Sequence, residues 1–165
     1  MPIDAPLCLY NGHVLREWID YNGHMNVASY VQAFDHATDA LMEFVGLGPT
    51  YRASTHCSAF VLETHVNYQR EMVEGEAIRI TTQLLGFDAK RIHYFHRMYH
   101  GDTGYLTATT ELITIHVDLK KRQGAPMPLA VLDRLNAVMA QHIQMPRPPQ
   151  SGRVIGVNAK PPTGG

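Results

Sequence analysis

The sequence predicts an α+β fold in which an antiparallel sheet wraps one long helix. Two observations lead there. From Asn26 onward, apolar residues fall at Val27, Tyr30, Val31, Phe34, Ala37, Leu41, Met42 and Val45, three or four apart. They form one stripe of a helix. Four segments rich in β-branched and aromatic residues follow, at 58–68, 76–87, 91–100 and 105–117. Such segments, joined by short links, read as strands. A helix this apolar needs a sheet to cover it.

Taken in order, residues 7–16 mix apolar and polar side chains and read as a first strand. A loop with Trp18, Asp20, Asn22 and Gly23 leads to the helix. Asn26 suits its N-cap, because the side chain can accept a bond from an orphaned backbone N–H. Gly46 and Gly48-Pro49 end it. In the second of the four strands, Ile78, Ile80, Thr82 and Leu84 share a face. The links Glu74-Gly75, Asp88-Ala89 and Gly101-Asp102-Thr103-Gly104 have turn composition, so the four strands are expected to run as a meander. Residues 128–142 predict a short helix, with Leu129, Leu132, Leu135 and Val138 on one face. Residues 1–145 thus form one domain. Residues 146–165, PRPPQSGRVIGVNAKPPTGG, are expected to be a mobile tail, since they hold many Pro and Gly and few core residues.

Composition excludes several functions. The 165 residues suit a single domain with a real core. Fourteen Lys+Arg against 15 Asp+Glu give a net charge of −1, with no electrostatic case for nucleic acid or an anionic membrane. Two cysteines, Cys8 and Cys57, lack zinc-ligand spacing. The N-terminus has no signal-peptide pattern, and no apolar run reaches the roughly 20 residues of a membrane span. A cytoplasmic protein is expected. His93, His96 and His100 suggest a metal on paper, but His93 falls on the opposite strand face from the other two, and no metal is expected.

The chemistry concentrates in DYNGHMN, residues 20–26. This motif and the helix after it resemble the hotdog-fold acyl-CoA thioesterases, over residues 14–117. Asp20 and Tyr30 look like the 4-hydroxybenzoyl-CoA thioesterase type, and DYNGHMN is similar to the corresponding segment of plant acyl-ACP thioesterases. VLETHVNY (61–68), GFDAKRIHYFHRMYH (86–100) and GYLTATTELITIHVD (104–118) resemble the betainyl-CoA thioesterase type of carnitine breakdown. The resemblance implies an acyl-CoA substrate, no cofactor, and a homodimer or homotetramer with sites between subunits.

Thioester hydrolysis needs a base or nucleophile, donors aimed at the developing oxyanion, and a group that orients the attack. Asp20 can activate water or attack directly. The free N–H groups and dipole of the helix N-terminus, at Asn26 and Val27, favour negative charge. The hydroxybenzoyl type implies that the Val27 N–H meets the thioester oxygen. The plant type implies catalytic roles for Asn22 and His24. Glu63 is a reserve carboxylate. Lys90 and Arg91 are implied as CoA-binding by the resemblance to the hydroxybenzoyl type, in which basic residues at a similar place bind nucleotide phosphates. A betainyl group calls for an aromatic cage, for which Trp18, Tyr21, Tyr30, Phe60 and Tyr68 are available. Two other functions compete. A hotdog 3-hydroxyacyl/enoyl-CoA hydratase-dehydratase is disfavoured because Gly23 replaces the usual Pro and the His comes one residue early. A non-catalytic acyl-CoA-binding module is disfavoured by the intact Asp20.

Overall fold

A computed structural model describes residues 2–159. The elements are β1 (Leu7–His13), a 3-10 turn (Arg16–Trp18), α1 (Val27–Val45), α2 (Pro49–Thr55), β2 (Cys57–Tyr68), β3 (Ala77–Phe87), β4 (Arg91–His100), β5 (Leu106–Asp118), β6 (Gln123–Gly124) and α3 (Leu129–His142). The strands form one antiparallel sheet in the order β1-β3-β4-β5-β2, with β6 paired to β5. No helix among the described residues is long and apolar enough to cross a membrane.

The long helix forms as its pattern predicts. The Asn26 side chain accepts the Ser29 N–H at 3.1 Å. Gly46 closes the other end at φ 96°, a left-handed conformation suited to a residue without Cβ. Between the caps, Tyr30, Ala33, Phe34, Ala37, Leu41, Met42 and Val45 are buried. They pack into clusters with Ile78, Ile80 and Leu84 of β3, Ile92, Tyr94 and Met98 of β4, and Leu112 of β5. Burying each such side chain contributes on the order of 1.5–3 kcal/mol.

Two expectations, the single meander and the wholly free tail, are corrected. The four strands do not run as one meander: β3, β4 and β5 do, but β2 crosses to the far edge and pairs β5. Residues 69–76 cannot form a hairpin, because Met72 is fully buried and its carbonyl accepts the Met25 N–H at 2.8 Å. Pro49 does more than end a helix: it sits in the first turn of α2, where its missing N–H costs nothing. The segment from Pro146 is also not free over its first half. Pro148 and Gln150 are buried, and the Ser151 hydroxyl and Gly152 N–H donate to the Glu111 carboxylate at 2.8 and 2.7 Å. Residues 160–165 lie outside the described residues.

Candidate active site

The motif folds into a tight turn that presents its polar groups at the mouth of α1. Ile19 and Met25 bridge across it. The Asp20 N–H donates to the His24 carbonyl at 3.1 Å, so the two residues face each other. The Asp20 carboxylate accepts the Asn22 N–H at 2.8 Å, which leaves its second oxygen uncommitted among the described residues. Gly23, at φ 81°, makes the reversal possible. His24 Nδ1 lies 3.3 Å from the Met25 carbonyl, and its Nε2 lies 3.6 Å from the Glu71 carboxylate.

Next to the turn, α1 begins. Its first two residues, Val27 and Ala28, are exposed, and their N–H groups have no intrahelical partner, as at any helix start. Asn26 serves as the cap. A cavity of about 250 Å³ opens beside them, lined by His24, Val27, Tyr30, Tyr68, Arg70 and Glu71 among others. The Tyr30 and Tyr68 rings meet edge to face at 5.2 Å. Their hydroxyls donate to the Arg70 and Val27 carbonyls at 3.3 and 3.0 Å, which holds both rings in place. Burial is the main cause that pushes the Tyr30 hydroxyl up to about 12.

Of the five aromatics expected to form a cage, only these two converge within one chain. Trp18 is 4% exposed and packs in the core with Val14, Met25 and Phe34. Tyr21 is 97% exposed. Phe60 sits eight residues from Tyr68 along β2, about 26 Å at the rise of a strand. Lys90 and Arg91 lie at that far end too: Arg91 is in register with Ile115, which pairs with Phe60. Arg91 is committed to Asp88 through its guanidinium at 2.6 Å. That pairing and two backbone N–H bonds hold the Asp88 carboxyl down to about 2. Lys90 is exposed and has no ion-pair partner among the described residues.

Within the chain, Glu63 lies on the sheet face away from α1. Tyr94 and His96 bond Thr38 of α1, so their strand neighbour His93 points to the outside of the sheet. Glu63 lines an outer cavity with His93, His65 and Glu111. Glu111 binds His93 Nε2 at 2.8 Å. Burial pushes its carboxyl up, but Gly152, Ser151 and His93 together hold it below the usual range. Glu71 was not singled out from the sequence. It falls in the turn-rich link after β2, and nothing in chain order ties it to His24.

The sequence pattern of the thioesterase-like superfamily matches residues 14–135. The chain belongs to that superfamily. It is a thioester hydrolase of the acyl-CoA thioesterase kind. A betainyl-CoA thioesterase of Pseudomonas aeruginosa is 42% identical over 151 residues, 92% of this chain and 95% of that one. An L-carnitine dehydrogenase/betainyl-CoA thioesterase of Agrobacterium fabrum is 40% identical over 92% of this chain but only 31% of its own length. Among solved structures, a putative thioesterase from Pseudomonas putida is 36% identical with a TM-score of 0.81, covering 96% of this chain and 99% of that one. A hypothetical protein from Staphylococcus aureus in complex with CoA shares the fold, with a TM-score of 0.86 at 23% identity over 95% of this chain and 99% of that one. The hotdog thioesterase fold expected from the motif is therefore the fold of the superfamily.

Proposed function

We propose that the enzyme hydrolyses a small acyl-CoA, betainyl-CoA, to glycine betaine and CoA, and that it works as a homodimer. The observation that carries the substrate reading is the pair of fixed tyrosine rings in a small cavity at the helix mouth. Aromatic faces attract a trimethylammonium that has no proton to donate. The 42% identical relative from Pseudomonas aeruginosa supports the same reading.

In this mechanism the free Asp20 oxygen takes a proton from water, and the water oxygen bonds to the thioester carbon. The Val27 and Ala28 N–H groups stabilise the resulting oxyanion, aided by the helix dipole. The tetrahedral intermediate collapses, the carbon–sulfur bond breaks, and the CoA thiolate leaves. His24, across the turn from Asp20, orients the attack, and Asn22 keeps the Asp20 carboxylate in place through its N–H.

The dimer reading rests on β2. Among the described residues its outer edge has no partner strand. Phe60, Val61, Leu62 and Tyr68 on it are 43–58% exposed, and Val27 and Val31 of α1 beside it are 64% and 43% exposed. A long apolar edge of this kind is a template for pairing. Pairing β2 antiparallel with its copy would bring the Lys90 end of one chain towards the Asp20 end of the other. CoA phosphates would then be held by Lys90 across the dimer.

Thiol release from a panel of short, aromatic, long-chain and betainyl-CoA tests the substrate reading. Betainyl-CoA should give the highest kcat/KM and palmitoyl-CoA a low one. Faster turnover of aromatic or long-chain acyl-CoA would overturn it.

A further inference from the structure

Glu71 is the one acid among the described residues that line the cavity of Tyr30 and Tyr68. The lining also holds one arginine, Arg70, but its guanidinium lies 3.9 Å above the Tyr105 ring. The Glu71 charge reaches the tyrosine wall: it is among the charges that help raise the Tyr30 hydroxyl, after burial. On the motif side, His24 Nε2 lies 3.6 Å from the carboxylate. The carboxylate itself is open to solvent, with 71% of its side chain exposed.

We propose that Glu71 is the counter-charge for a quaternary ammonium acyl group and sets the selectivity of the site for it. This rests on the betainyl-CoA reading. The geometry supports it because a single methylene separates the thioester carbonyl of betainyl-CoA from its cationic nitrogen. A carbonyl oxygen held at the Val27 N–H must therefore place that nitrogen close by. Val27 lines the same cavity as Tyr30, Tyr68 and Glu71. A quaternary ammonium offers no N–H, so a protein distinguishes it by field and ring faces alone. Two hydroxyl-anchored rings and one carboxylate supply both.

The test compares betainyl-CoA with its neutral isostere, tert-butylacetyl-CoA, in the wild-type enzyme and in Glu71→Gln and Glu71→Asp. The quantity read is the ratio of the two kcat/KM values, in which any general effect on catalysis cancels. The wild-type enzyme should favour the cation. Glu71→Gln should lower the ratio about tenfold, and Glu71→Asp should keep most of it. If Glu71→Gln slows both substrates alike and leaves the ratio unchanged, Glu71 does not recognise the charge, although betainyl-CoA stands as the substrate. If the wild-type enzyme leaves betainyl-CoA intact while hydrolysing other acyl-CoAs, the substrate reading itself fails. Circular dichroism of each variant confirms that the fold is kept.

Discussion

Replacing Asp20 by Asn separates chemistry from folding at this site. The Asp20 side chain makes one bond within the described protein, accepting the Asn22 N–H at 2.8 Å. Asparagine keeps an oxygen at that place, so the turn survives. The site is at the surface, and the change should alter stability by no more than about 0.5 kcal/mol. What it removes is the basic oxygen proposed to take the proton of the attacking water. Losing a positioned general base costs a factor of about 10²–10⁴. Thiol release from the best acyl-CoA of the panel should therefore fall at least about a hundredfold, with melting temperature nearly constant. The oxyanion donors belong to the backbone and survive the change, so some residual activity should persist. A variant that retained turnover within tenfold of wild type would place the base elsewhere. Glu71, beside His24, would be the next carboxylate to test.

Three further outcomes follow from the same geometry. Burial holds the His96 ring, bonded to Thr38 and Thr82, down to about 3, and depresses His142 as well. Both groups bind protons more readily unfolded, so their stabilisation is complete above about pH 6.5 and is lost as pH falls below it, with His96 contributing a slope of about 1.4 kcal/mol per pH unit and His142 adding in the same direction. Urea midpoints that do not drop between pH 6.5 and 5.5 would contradict this. Truncation after Met145 should remove the Ser151 and Gly152 bonds to Glu111, costing about 2 kcal/mol or more and some 4–8 °C in melting temperature. A truncated chain that melts like the full one would show that the docked segment contributes nothing. Val31→Glu should shift the light-scattering mass from twice the 18.5 kDa chain towards the chain itself. A mass unchanged at micromolar concentration would move the interface away from α1 and β2.

The long helix was legible because its signal is local. Its stripe from Val27 to Val45 and its Asn26 and Gly46 caps all lie within one stretch of chain. The same holds for the strand boundaries, which are off by one residue at most for β2 to β5. Pairing is not local. Residues 69–76 read as a turn, and only burial of Met72 shows that they cross the fold instead. The tail misled for a related reason: its Pro and Gly content says nothing of Glu111, distant in sequence, which satisfies its backbone and hydroxyl groups on the outer face of the sheet. At the site, DYNGHMN exposed the carboxylate and the helix mouth in order. Convergence was invisible: Trp18 is close in sequence but belongs to the core, and Glu71 is distant in sequence yet beside His24.

The separation of Asp20 and Lys90 along β2 has a consequence for mixtures of damaged enzymes. If each working site draws its base from one chain and its phosphate anchor from the other, two different cripples can repair each other. Asp20→Asn and Lys90→Ala homodimers would each be poor. Unfolded together and refolded, half of the dimers would carry one of each chain. Every such hybrid holds one site with both defects and one with neither, so about a quarter of wild-type activity should return from two nearly inactive parents. A site contained within a single chain could give no such recovery.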